Sequence, residues 1–137
     1  ARAQPAAEVI RPAGARGAVV VCDRYLDSSV AYQGAARGLG EDQIAGLSLW
    51  GTEDLIPDLT VVLDVQPGVG LGRAGDANRM EAEPTAFHEA VRESFLRRAA
   101  TAPARYLVLP AAEDRALLAT TVLEAVQARL VGAVEAS

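Results

Sequence analysis

The chain has 137 residues, half of them hydrophobic, and a formal net charge of −5. This length predicts a single domain with enough apolar material for a core. The acidic balance argues against a general nucleic-acid binder or an acidic-membrane binder, since both need a basic surface, but it leaves room for a small arginine pocket.

No apolar run approaches the length of a membrane span, and the opening Ala-Arg-Ala-Gln-Pro carries no signal-peptide core. The first residue is Ala1 rather than Met, which suggests a fragment or a processed product. One cysteine, Cys22, cannot close an internal disulfide; it reads as a small buried hydrophobe of an intracellular, soluble protein.

Residues 2–16 predict a helix that Pro5 and Pro12 shorten or kink, with Gly14 and Gly17 ending it. Residues 18–22, Ala-Val-Val-Val-Cys, are apolar without alternation, the pattern of a strand buried on both faces. Asp23 and Arg24 follow directly. Ser28 and Ser29 are suited to cap a helix that carries Tyr32 and Gln33. In open α/β sheets, ligands bind just beyond the carboxyl ends of strands. An Asp-Arg pair there offers a ligand for a metal or its water, together with an anion clamp. Arginine suits phosphate because its planar fork bonds in pairs and keeps its charge.

Residues 34–40 are glycine-rich and read as mobile. Glu41 and Asp42 open a helix with acids at its positive end, and Ile44, Leu47, Trp50 and Leu55 give it an apolar face, with Trp50 assigned to the core. Pro57-Asp58 breaks it. Residues 59–65 predict a second buried strand, and Pro67 starts a helix to about Arg73. Residues 74–84 are polar and lie between helices, as a closing lid would. Residues 85–100 form the clearest helix, with Phe87, Val91, Phe95 and Leu96 at helical spacing; His88 lies off that stripe and reads as exposed. Residues 106–109 predict a third strand ended by Pro110. Asp114 caps a last helix whose Leu117, Leu118, Thr121, Val122, Ala125 and Val126 face inward, and the tail from Gly132 should fray. Strands alternating with helices mean an α/β class with a parallel sheet.

Asp23-Arg24-Tyr25, Ser28-Ser29 and Ala31-Tyr32-Gln33-Gly34, taken together, resemble the nucleoside-monophosphate site of bacterial thymidylate kinases. Arg37-Gly38, Pro57-Asp58-Leu59-Thr60, Leu63-Asp64-Val65, Arg79-Met80-Glu81 and the stretch from Phe87 to Phe95 extend the resemblance over nearly the whole chain. It implies a P-loop NTPase-like, three-layer α/β/α parallel sheet, here incomplete because the first strand and the P-loop are missing. Residues 1–137 would form one domain, the C-terminal portion of such a kinase, with the acceptor site at 18–40 and the lid at 73–84.

The resemblance also implies roles. Arg24 would bridge to the acceptor phosphate, and Asp23 would hold magnesium or its water shell. Arg2, Ser28, Ser29 and Gln33 would lie near the thymine base. Tyr32 would press the sugar and disfavour a 2′-hydroxyl. Arg37 would approach the phosphates or serve only the surface. Arg73 and Arg79 would cover the transferring phosphoryl group, as arginine fingers do, and Glu81 would orient the lid or contact the nucleotide. Asn78 stands where the family usually has Asp.

No Gly-x-x-x-x-Gly-Lys-Ser/Thr loop occurs, and all 13 basic residues are arginine. The glycines of residues 66–73 lack the lysine and hydroxyl that grip phosphates and magnesium. In the resembled fold, the missing strand lies between the strands at 18–22 and 59–65. The expectation is therefore a dTMP kinase that makes dTDP with ATP and Mg2+ in its complete form. That form would be a cytoplasmic homodimer with no nucleic-acid or membrane partner. This chain alone would be inactive, and unstable or oligomeric. The competing readings are a related deoxynucleoside kinase and a non-catalytic nucleotide-binding or interaction domain that has lost its donor loop. An upstream in-frame phosphate loop would separate the enzyme from the degenerate domain.

Overall fold

In the computed structural model, the described residues are 3–35, 37–65 and 85–136. The expected helix at 67–73, the lid at 73–84, and Arg2, Arg73, Arg79 and Glu81 lie outside them.

Two strands form the sheet. β1 (Thr60–Asp64) and β2 (Tyr106–Pro110) pair in parallel, with Thr60 opposite Tyr106 and Asp64 opposite Pro110. Backbone bonds extend the ladder at both ends: Thr60 N donates to the Arg105 carbonyl, and Ala111 N to the Asp64 carbonyl, each at 2.8 Å. Proline can close a strand because no further ladder donor is needed there. Parallel strands require a long crossover, and it contains the 17-residue helix Thr85–Thr101.

The remaining helical segments, in chain order, are α1 (Ala3–Pro5), α2 (Arg11–Ala15), α3 (Leu26–Ser29) and α4 (Glu41–Gly51), followed by the crossover helix α5 (Thr85–Thr101) and α6 (Arg115–Ala136). π-Helical turns at Ala6–Ile10 and Val30–Ala35 join α1 to α2 and continue α3. The first π turn falls between Pro5 and Pro12, where proline removes a helix donor and a widened turn absorbs the mismatch. Gly17 then takes φ +79°, and Ala18 N bonds back to the Ala13 carbonyl at 3.0 Å, ending the helix as a left-handed glycine cap does.

The core consists of two clusters on opposite parts of α5. Val62, Ala99 and Tyr106 pack between helix and sheet, while Ala31, Phe87 and Val91 pack between the helix and the segment after α3. Phe95 touches both clusters, so α5 couples the sheet to residues 26–35. The predicted spacing of Phe87, Val91 and Phe95 thus describes the spine of the molecule.

Several expectations are corrected. Residues 18–22 are not a strand and lie exposed, with Val21 92% accessible. A strand exists only through its ladder, and none of the described residues pairs with this one. Cys22 is accordingly exposed rather than buried. In β1 only Val62 is buried, and Leu63 faces solvent. Trp50, expected in the core, is 81% accessible, and Leu47 beside it is also exposed. At the end of the glycine-rich stretch, Leu39 N and Gly40 N bond to the Gln33 and Gly34 carbonyls.

Asp114 caps α6 as predicted, its Oδ2 accepting from Ala116 N at 3.1 Å and Leu117 N at 3.2 Å. The helix continues to Ala136, past the expected fraying point at Gly132. Leu117 is exposed; Leu118, Val122 and Val126 are half-buried and, with Val61 and Leu63, line an apolar groove of about 800 Å³ between α6 and β1.

Ion pairs tie α5 to its surroundings, two of them at the end of β1 and the start of α4. Arg92 grips Asp64 at the end of β1 with both nitrogens, at 2.6 and 3.1 Å. Arg97 meets Glu41 at 2.7 Å, and Ser94 also donates to Glu41. The Ser94 hydroxyl first, and then Arg97, hold the Glu41 carboxyl below its ordinary range; the Arg92 fork does the same for Asp64. A depressed folded-state pKa stabilises the fold above the unfolded value, and that contribution disappears as pH falls through the folded one. We expect the urea midpoint of the parent to fall on acidification below the ordinary carboxylate range. The double variant Glu41→Gln, Asp64→Asn should show a smaller fall, and equal falls would contradict the assignment.

Candidate functional site

The site is built on residues 23–37, whose course is set by one unusual backbone conformation. Arg24 has φ +63°, in the left-handed region. For a residue with a side chain this costs roughly 1 kcal/mol, and such outliers persist where the surroundings or a function require them. The Cys22 thiol donates to the Arg24 carbonyl at 3.5 Å, bracing the turn. Tyr25 then anchors the chain by donating its hydroxyl to the Leu55 carbonyl at 3.1 Å. α3 begins at Leu26 with no side-chain cap. Ser28 and Ser29 are therefore inside the helix and not at its cap, a correction to the sequence reading. Ser28 is buried and Ser29 half-buried.

The left-handed turn returns the Arg24 side chain over the helix it precedes. Its guanidinium lies 5.3 Å from the centre of the Tyr32 ring. Tyr32, in the π turn Val30–Ala35, packs in turn against Phe87 of α5, ring centres 6.0 Å apart. The Arg37 guanidinium stands 4.9 Å over the Phe87 ring. His88 meets the same ring edge-on at 5.5 Å and is half-buried rather than exposed, its Nε2 enclosed without a hydrogen-bond partner among the described residues. Two cations thus sit on the faces of two touching aromatic rings, an arrangement that stacks planar groups and attracts anions.

Asp23 and Gln33 are exposed at the rim. Among the described residues, no group of three or more His, Cys, Asp or Glu side chains could hold a metal ion. A lone exposed carboxylate still suits magnesium, which keeps much of its water and binds through one or two carboxylates plus substrate phosphates.

Beneath this surface lies a contact that sequence reasoning missed. Asp27 is buried, and its Oδ1 accepts from Arg98 Nε of α5 at 2.5 Å and from the Tyr106 hydroxyl of β2 at 2.6 Å. The partners lie 71 and 79 residues away, so no local pattern announces them. The available hint was an acidic residue between Leu26 and Ser28 with no helix start to cap. Burial, and then the Asp27 carboxylate, push the Tyr106 phenol up to about 12. A raised folded-state pKa stabilises fully below the unfolded value near 10, and the contribution disappears as pH climbs towards 12. Tyr106→Phe should therefore flatten the loss of stability between pH 10 and about 12 in chemical denaturation; an unchanged alkaline limb would contradict this.

The ordered Asp-Arg, Ser-Ser and Ala-Tyr-Gln-Gly elements agree with a wider match: the thymidylate kinase family model covers residues 1–122. The chain belongs to the thymidylate kinase family. The thymidylate kinase of Pseudomonas fluorescens strain SBW25 is 56% identical over 119 residues, covering 85% of this chain and 57% of that protein. That of Cutibacterium acnes is 46% identical over 131 residues, covering 96% and 62% respectively. A Pseudomonas putida thymidylate kinase, from strain F1, is 52% identical over 130 residues, covering 93% and 58%. The chain thus spans about three-fifths of the length of these curated relatives.

In this member of the family, the structure brings together Arg24, Tyr32 and, additionally, Arg37, Phe87 and His88. Ser28 is drawn inward, away from the surface position that base contact would favour, while Asp23 and Gln33 remain accessible. None of the described helices is long and apolar enough to cross a membrane.

Proposed function

We propose that this sequence carries the acceptor-nucleotide site of a dTMP kinase, which transfers the γ-phosphoryl group of ATP to dTMP and yields ADP and dTDP. The observation that carries the reading is the Arg24 guanidinium, held over Tyr32 by a left-handed backbone within the family's acceptor motif. Arg24 binds the 5′-phosphate in a fork, and Tyr32 packs the deoxyribose and leaves no room for a 2′-hydroxyl. Ser29 and Gln33 contact the base, with Arg2 at that end, while the buried Ser28 supports Ser29 from within α3. Asp23 holds magnesium through its water shell; the ion, when bound, offsets charge on the transferring phosphoryl group. Arg73 and Arg79 cover that group, and Glu81 orients the lid.

The finer architecture we infer is a three-layer α/β/α sheet of the P-loop kind, of which β1 and β2 are one parallel pair. The sequence has no phosphate loop, so we place ATP binding outside these 137 residues and expect the chain alone to bind dTMP without phosphorylating it. The complete enzyme is a cytoplasmic homodimer in this reading, which the exposed Leu47 and Trp50 on α4 support. The net charge of −5 favours no nucleic-acid partner.

Equilibrium dialysis against labelled nucleotides tests the proposal, since it reads bound ligand at any association state. We expect dTMP to be retained about tenfold or more above thymidine, because a fork to phosphate contributes roughly 1.5–3 kcal/mol. The ribonucleotide should bind more weakly than dTMP. Equal retention of thymidine and dTMP would rule out the phosphate clamp.

A further inference from the structure

We infer that Asp27, Arg98 and Tyr106 form a positioning network that fixes residues 24–35, and with them the arginine–aromatic surface, to the sheet. The functional consequence rests on the acceptor-site reading above; the mechanical one does not.

Little else fixes α3, the helix at the head of this segment, to the sheet. It is preceded by residues 18–22, which are exposed and make no ladder, so chain continuity supplies little constraint from that side. On the other side, Val30 and Ala31 are fully buried, and the contact of Ala31 with Phe87 and Val91 is apolar and non-directional. The Tyr25 hydroxyl ties the start of the segment to the Leu55 carbonyl, and Leu39 N and Gly40 N bond to its end at Gln33 and Gly34, which leaves α3 itself, among the described residues, without a directional tie to the sheet apart from Asp27. A helix resting on apolar contacts can slide or roll with small change in buried area. Hydrogen bonds to a charged group are directional and stronger than neutral ones. Asp27 supplies them from the middle of α3, one turn ahead of the π turn that carries Tyr32. Its two donors come from different layers, Arg98 from α5 and Tyr106 from the first residue of β2. Two donors converging on one buried oxygen fix both the depth and the roll of the short helix.

The chemistry of the three groups fits that role. A buried carboxylate without partners would be costly, so Asp27 is held where Arg98 and Tyr106 reach it. Arginine keeps its charge, and the Tyr106 hydroxyl stays protonated, and therefore a donor, throughout the physiological range. The network itself touches neither of the stacked guanidinium groups, whose rings are Tyr32 and Phe87. It acts through the backbone of residues 26–32, so these are positioning residues.

Amide hydrogen exchange on the 137-residue chain, read by mass spectrometry, decides the mechanical claim. Tyr106→Phe removes one donor and keeps the ring; Asp27→Asn removes the charge at nearly constant shape. Leu118→Ala in α6 is the control for general destabilisation. We expect exchange in residues 26–35 to accelerate about tenfold in Tyr106→Phe, and more in Asp27→Asn, while amides of β1 and β2 change far less. Acceleration spread evenly over the chain, as in the control, or no change in residues 26–35, would overturn the network. Should Asp27→Asn fail to fold, Tyr106→Phe alone carries the decision. Dialysis with dTMP supplies the functional arm: both variants should weaken binding several-fold, and the control should not. If Arg24→Ala binds dTMP as tightly as the parent, the acceptor-site reading falls, while the exchange result still decides the network.

Discussion

Replacing Arg24 by glycine should weaken dTMP binding by between about tenfold and a hundredfold and, at the same time, raise the stability of the fold. The first effect follows from losing a charged fork on phosphate, worth roughly 1.5–3 kcal/mol at 1.4 kcal/mol per decade. The second follows from the backbone: φ of +63° costs a side-chain-bearing residue roughly 1 kcal/mol and costs glycine little. Glycine's greater freedom in the unfolded chain offsets part of that gain. Arg24→Ala should show the same loss of affinity without the gain in stability. Arg24→Lys should retain part of the affinity, since it keeps the charge and loses the fork. Dialysis and urea denaturation on the three variants read both quantities. An Arg24→Gly chain that binds dTMP as the parent does would remove the clamp from the mechanism; one that is strongly destabilised would show that the turn is not strained.

The second large effect concerns association. We expect the 137-residue chain to self-associate at concentrations on the order of 10 µM. Val19 and Val21 lie exposed outside any helix or strand, Leu63 faces solvent from β1, and Leu47 and Trp50 project together from α4. Contiguous apolar surface and an unpaired strand edge both favour contact between chains. Sedimentation velocity over a concentration series measures this directly. The pair Leu47→Lys, Trp50→Lys should reduce association by removing the helical patch, and Val19→Lys, Val21→Lys should reduce it by charging the extended segment. A parent chain that sediments as a monomer throughout would contradict the expectation.

The parts of the fold that sequence made legible are those decided locally. Asp114 caps α6 because its carboxylate meets amides two and three residues on. Phe87, Val91 and Phe95 announce α5 because helical spacing puts them on one side. Residues 18–22 were misread because their β-branched composition reports a preference, whereas the ladder depends on a neighbour. Trp50 was misplaced because a large apolar side chain does not have to be interior. In the site, the motif identified Arg24 and Tyr32, yet not that the two would stack. Asp27 went unnoticed because its meaning lies in Arg98 and Tyr106, contacts that exist only after the chain has closed on itself.

The widened turn at Val30–Ala35 has a consequence for how variation can be accommodated there. A π turn holds one residue more than regular α geometry would, which shifts the angular phase of everything after it by about 100°. Tyr32 and Gln33 owe their outlook to that extra residue as much as to their own chemistry. Deleting Val30 or Ala31 would leave a tidier helix and swing the phenol off the guanidinium, so length in this stretch is as constrained as side-chain identity.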